Sequence, residues 1–187
     1  MVRLCTVVVL VGGYTGLAMG EVTNGGGLYE ELVIDVSGLG FTGELGDPLN
    51  TVIESTDFPV AEYMRVAAVR WDVNISTMPF SWLSEASLWF SVESGNGFSL
   101  SPGAGDDFFG SNSYSSGWVE LSDFGVSMWV GSDSMIRMEL YEAFDDVAGI
   151  DAFFGTGSTV TLGLQIPSPG GVGVLMLGGL VGVRRRR

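Results

Sequence analysis

The chain has 187 residues, 46% of them hydrophobic, with 22 acidic side chains against eight basic ones, no histidine and one cysteine. A formal charge of −14 repels phosphate backbones and so excludes nucleic acid as a partner. Without histidine, neither Ser-His-Asp nor Cys-His catalysis is available, nor is histidine-ligated zinc.

The N-terminus reads "MVRLCTVVVLVGGYTGLAMG". Arg3 is a basic start, residues 4–11 are an apolar run, and Ala18 and Gly20 are small residues ahead of Glu21. That order is a secretory signal peptide, so residues 1–20 are expected to be a leader, helical while it is being exported. Cys5 lies in that leader, which leaves the rest of the chain without cysteine and without a disulfide.

Residues 21–166 hold all 22 acids and only Arg65, Arg70 and Arg137, a balance of −19. This stretch reads as strands between turns. "ELVIDV" and "NTVIES" come first, and a short helix is expected over 61–69 ("AEYMRVAAV"). In "VRWDVNIS", Val69, Trp71, Val73 and Ile75 alternate with polar residues, the period of a half-buried strand. "EASLWFSV" places Ala86, Leu88, Phe90 and Val92 on one face, with Trp89 on the polar face. Further strands are expected at "GFSLSP", "GWVELS", "GVSMWV", "MIRMELYE" and "STVTLGLQI", and a second short helix over 142–152. Between them lie turn clusters rich in Gly, Ser, Asn and Asp, including "SPGAGDD" and "GSNSYSSG". Eight or nine short strands at this spacing predict an all-β fold, a single antiparallel β-sandwich or jelly roll.

Two groups of residues are candidate binding sites. Asp106, Asp107, Asp145, Asp146 and Asp151 fall in loops, and loops rich in carboxylates are where Ca2+ finds its oxygen ligands. No EF-hand spacing is present, and Asp also favours turns for local hydrogen bonding. Of the five tryptophans, Trp71 aligns with a core face, whereas Trp82, Trp89 and Trp118 sit on polar faces or at loop–strand junctions, where exposed rings could stack on sugars. No phosphate-binding loop occurs and nothing marks a catalytic carboxylate pair, so the domain is expected not to be an enzyme.

The chain closes with "IPSPGGVGVLMLGGLVGVRRRR". An apolar run near the minimal length of a membrane span precedes Arg184, Arg185, Arg186 and Arg187, a cluster that holds its end of the chain in the cytoplasm. This tail, residues 167–187, resembles the PEP-CTERM sorting signal, with Pro167, Ser168 and Pro169 where that family usually has Pro-Glu-Pro. The resemblance implies a bacterial envelope, the secretion machinery and an exosortase-type protease as partners, and an exported protein held in the membrane before it reaches the cell surface. "GELGDPLNTV", "GAGDDFFGSNSYSSGWVEL" and "MELYEAFDDVAGIDAFFGTGSTVTLGL" resemble uncharacterised exported bacterial proteins with the same tail and, more distantly, jelly-roll P domains. Two functional expectations follow: a non-catalytic surface or matrix protein, or a module binding extracellular polysaccharide.

Overall fold

The computed structural model describes residues 29–54, 63–145 and 149–165, together with the backbone of 5–10 and 17–24. In chain order the first strands are β1 (Cys5–Leu10), β2 (Leu17–Asn24), β3 (Glu30–Asp35), β4 (Gly40–Phe41), β5 (Val52–Glu54), β6 (Arg65–Thr77) and β7 (Ala86–Val92). Then come β8 (Gly97–Leu100), β9 (Ser111–Ser115), β10 (Val119–Glu120), β11 (Met128–Trp129), β12 (Ile136–Glu142), β13 (Ala152–Phe154) and β14 (Thr159–Gln165). Among the described residues the helical content is one 3-10 turn, Leu121–Phe124.

Several of these strands are pieces of longer ribbons. β14 and β13 both run antiparallel to β6, parted only by the turn at 155–158, and β3 and β4 lie beside them in the same way. On the other side of β6, the segments β11, β10 and β9 follow one another along its length. One sheet is therefore β3/β4, β13/β14, β6 and β9–β11, with the hairpin β1–β2 added beside β3; the other is β5, β12, β7 and β8. Their inner faces share one core, in which Phe41, Phe90, Phe154, Leu88, Leu140 and Leu162 are fully buried. Eight ribbons passing between two sheets in this order have jelly-roll connectivity, in keeping with the sandwich expected from the alternation.

The structure departs from the sequence-based expectations in four places. The stretch expected as a helix over 61–69 is strand from Arg65 onward. A β-bulge explains the misreading: Gly163 pairs with Ala68 and Leu164 with Val66, so Ala67 is the extra residue. The bulge changes parity, with Val66 facing the core on one side of it and Val69, Val73 and Ile75 on the other. Ala67 and Ala68 lie outward beneath Tyr29 and Trp118, so 66–69 is buried throughout and shows no period of two.

"SNSYS" is β9 rather than a turn, because its polar side chains find partners along β6: Ser111 with Ser76 at 2.7 Å, and Ser113 donating to Asn74 at 2.5 Å. The helix expected over 142–152 is not formed at either end. Ala143 N–H donates to the Glu85 carbonyl and Asp151 N–H to the Phe41 carbonyl, so both ends bond outward. Finally, where a leader helix was expected, Cys5–Leu10 and Leu17–Asn24 are paired strands. Val7, Val8 and Val9 are β-branched, and away from a bilayer nothing forces their backbone to satisfy itself within a helix. The tail calls at Pro167, Ser168, Pro169, Arg184, Arg185, Arg186 and Arg187 lie outside the described residues, among which no helix is long and apolar enough to cross a membrane.

A buried carboxylate fixes the 42–51 loop between β4 and β5 over the outer face of the second sheet. Glu139 on β12 is 2% exposed. It accepts hydrogen bonds from Gly46 N–H at 2.6 Å and Asn50 Nδ2 at 2.9 Å, and pairs with Arg137 at 2.6 Å. Burial alone would raise its pKa. The hydrogen bonds from Asn50, Gly46 and Arg137 outweigh burial and hold it below the usual carboxylate range. A depressed carboxylate stabilises the fold above its unfolded pKa, and that contribution is lost as pH falls through the folded value. Glu139→Gln should therefore cost about 2 kcal/mol at neutral pH and lower Tm by about 4–8 °C. It should also weaken the acid-induced destabilisation, as read from melting curves collected from neutral pH down through the carboxylate range.

Candidate functional site

Three connections leave the same end of the sandwich: 78–85 between β6 and β7, 101–110 between β8 and β9, and 143–151 between β12 and β13. The first is set by alternation within a loop. Ser81 and Leu83 are fully buried, Leu83 in the main core, so Phe80 and Trp82 are turned out to solvent. Backbone hydrogen bonds tie the other two loops to it. Leu83 N–H donates to the Phe108 carbonyl at 3.0 Å, Ser84 N–H to Asp106 at 3.2 Å, and Ala143 N–H to Glu85 at 3.0 Å. The Glu85 carboxylate accepts the Trp82 N–H at 2.8 Å and closes the turn between them. Gly103 is needed for this contact, since a Cβ there would lie 2.5 Å from the Leu83 carbonyl oxygen.

Between these loops lies an open cleft of about 660 Å³, lined by Pro79, Phe80, Trp82, Glu85, Phe109 and Phe144. Its rings face water: Phe80 is 76% exposed, Phe144 70%, Phe109 61% and Trp82 45%. Each forgoes burial that would have stabilised the fold by about 1.5–3 kcal/mol, and four such rings around one cleft mark a surface made for contact. The backbone adds a second cost at the same place. Phe80 has φ of +89°, a conformation a side chain with a Cβ adopts only under constraint.

The residues singled out from sequence are placed as follows. Trp82 lines the cleft. Trp89 is half-buried on the outer face of the second sheet, its ring against Gly97. Trp118 packs on Tyr29 with ring centroids 5.3 Å apart, and the Arg70 guanidinium sits 4.7 Å from its ring centre on the outer face of the first sheet. The three tryptophans therefore do not share a surface. Phe80, Phe109 and Phe144 were missed because only tryptophans were weighed as stacking rings. The available signal was an aromatic residue in each of three turn segments, "MPFSW", "DDFFG" and "EAFDD".

Of the acidic residues, Asp106 accepts from the Tyr114 hydroxyl at 2.7 Å and Asn112 Nδ2 at 3.2 Å, and Asp107 from the Ser84 hydroxyl at 2.8 Å. Both thus serve the local loop bonding for which Asp is suited. Asp145 is exposed beside Phe144, Asp151 is fully buried at the foot of the same loop, and Asp146 lies outside the described residues. Among the described residues no three His, Cys, Asp or Glu side chains form a group that could hold a metal ion.

Chemically, the cleft offers ring faces and one carboxylate, a surface for holding a ligand. No family model matches the chain, and neither a curated protein nor a solved structure does.

Phe80 and two hydrogen-bonded tyrosines give measurable consequences. Phe80→Gly should be more stable than Phe80→Ala by about 1 kcal/mol in denaturant unfolding, since both lack the ring but only glycine accepts the positive φ without strain. The second concerns alkali. Tyr114, through burial and then its hydrogen bond to Asp106, and Tyr29, through burial and then its bond to Glu120, are both raised from 10 to about 12. The folded chain keeps these protons after the unfolded chain has lost them, so stability falls as pH rises from 10 towards 12. Replacing both with Phe should flatten that fall in melting temperature.

Proposed function

We propose that this is an exported, non-catalytic β-sandwich protein of the bacterial cell surface, sorted through a PEP-CTERM-like tail, and that its domain binds extracellular polysaccharide at the aromatic cleft. The observation that supports binding is the set of four exposed rings drawn from three loops into one cleft. Sugar rings carry flat C–H faces that stack on aromatic faces, and an open cleft admits an internal stretch of a chain rather than only its end. On this reading the leader is removed after Gly20, leaving residues 21–24 of β2 against β3. The tail is then cut near Pro167, Ser168 and Pro169. Four arginines each cost at least about 2.5–3.5 kcal/mol at a bilayer centre, so they hold the precursor in the membrane until then.

Binding is tested by titrating the protein with polysaccharide from the envelope of the producing cells. Trp82→Ala and Phe109→Ala should each weaken binding about tenfold, the equivalent of about 1.4 kcal/mol per lost stacking contact. Unchanged affinity in both variants overturns the assignment of the cleft. Sorting is tested by replacing Arg184, Arg185, Arg186 and Arg187 with serine, which should release unprocessed protein into the medium. A variant that stays membrane-held and is processed normally removes the arginines as the anchor.

A further inference from the structure

The cleft has a charge character as well as a shape. Glu85 is the one lining residue with an ionisable side chain, and apart from the Trp82 indole N–H the other lining side chains offer no hydrogen-bond donor. Stacking in an open cleft leaves the hydroxyls of a neutral sugar in water, so the lining side chains hold such a sugar by its ring faces alone. A protonated amine suits the same surroundings. Aromatic faces attract cations through the negative face of the ring quadrupole, and a carboxylate in the lining supplies an opposite charge.

The wider distribution of charge agrees. The chain carries −14, Asp145 follows Phe144, and the Asp106–Asp107 pair sits in the loop that supplies Phe109. The described arginines lie in the first halves of the strands whose far ends carry the cleft. Arg137 is the second residue of β12, and Arg65 and Arg70 lie in the first half of β6. At about 3.3 Å per residue, Arg137 is about 20 Å along the chain from Phe144, well beyond the screening length of about 8 Å at physiological salt. Arg137 is also paired with Glu139, and Arg70 with Glu31, so the positive charge of each is met locally.

Resting on the polysaccharide reading above, we infer that the cleft selects glycans bearing free amino groups, each ammonium held over the Phe and Trp faces beside Glu85, and disfavours uronate- or phosphate-bearing chains. The test is isothermal titration of the full-length protein with a hexamer of β-1,4-linked glucosamine and with its fully N-acetylated counterpart, which has the same length and ring faces but no charge. The amine hexamer should bind at least tenfold tighter. Glu85→Gln, whose amide oxygen can still accept the Trp82 backbone N–H, should reduce that preference to about twofold or less. Equal affinity for the two hexamers, or tighter binding of the acetylated one, overturns the inference and leaves polysaccharide binding standing. Binding of neither overturns both the inference and the glycan reading. Amine binding that survives Phe109→Ala also overturns the inference, because it would be diffuse attraction to an acidic surface rather than occupancy of the cleft. The wild-type comparison decides the matter even where a variant fails to fold.

Discussion

The first sheet is built around β6, the longest of the described strands. Its 13 residues pair with β14 and β13 on one side and with β11, β10 and β9 on the other, so one strand organises most of the first sheet. A strand that long cannot keep one straight register against pieces from both sides. The bulge at Ala67 absorbs the mismatch by placing two residues opposite Gly163. Gly163 is itself constrained, since a Cβ there would lie 3.0 Å from the Tyr29 ring and 3.1 Å from that of Trp118. The aromatic pair thus packs onto bare backbone, and Arg70, bonded to Glu31 at 2.7 Å, lies over it. This small outer cluster covers the face that the bulge exposes.

The far end of the same strand delivers Phe80 and Trp82 to solvent. Their outward position follows from what is buried beside them, Ser81 and Leu83 pointing in, and from backbone bonds that hold the neighbouring loops against 83–85. The cleft is therefore mounted on the core through Leu83, an arrangement that keeps the ordering cost of any ligand low. Strain at Phe80 and four rings left in water both work against stability, and they occur together. Such costs persist where surrounding structure imposes them, commonly at sites of function.

Charge is organised at two scales. Locally, the described carboxylates divide between structural work and open surface. Glu139 anchors the 42–51 loop, Asp106 and Asp107 bond within their own loop and its neighbours, and Glu85 closes a turn at the cleft. At long range, an excess of acids repels polyanions from the whole surface and concentrates cations near it. In the proposed reading the aromatic cleft turns that general attraction into a particular place, because ring faces favour organic cations over strongly hydrated metal ions.

How much of this was legible in the sequence follows from which interactions are local. Composition and the period of two in "VRWDVNIS", "EASLWFSV", "MIRMELYE" and "STVTLGLQI" determined an antiparallel sandwich, because alternation reports directly which face meets a core. The absence of histidine excluded every histidine-dependent chemistry, since that depends on residue types alone. Where burial was two-sided, as at 66–69, or where polar side chains bonded across to β6, as in "SNSYS", alternation vanished and the strands were misread. The cleft was out of reach for the same reason. Phe80, Phe109 and Phe144 lie up to 64 positions apart in the chain. Only the pairing of β6 with β9, and of β12 with β7, brings their loops to one end of the sandwich, and long-range pairing is a property of the folded sheet that no local stretch of residues encodes.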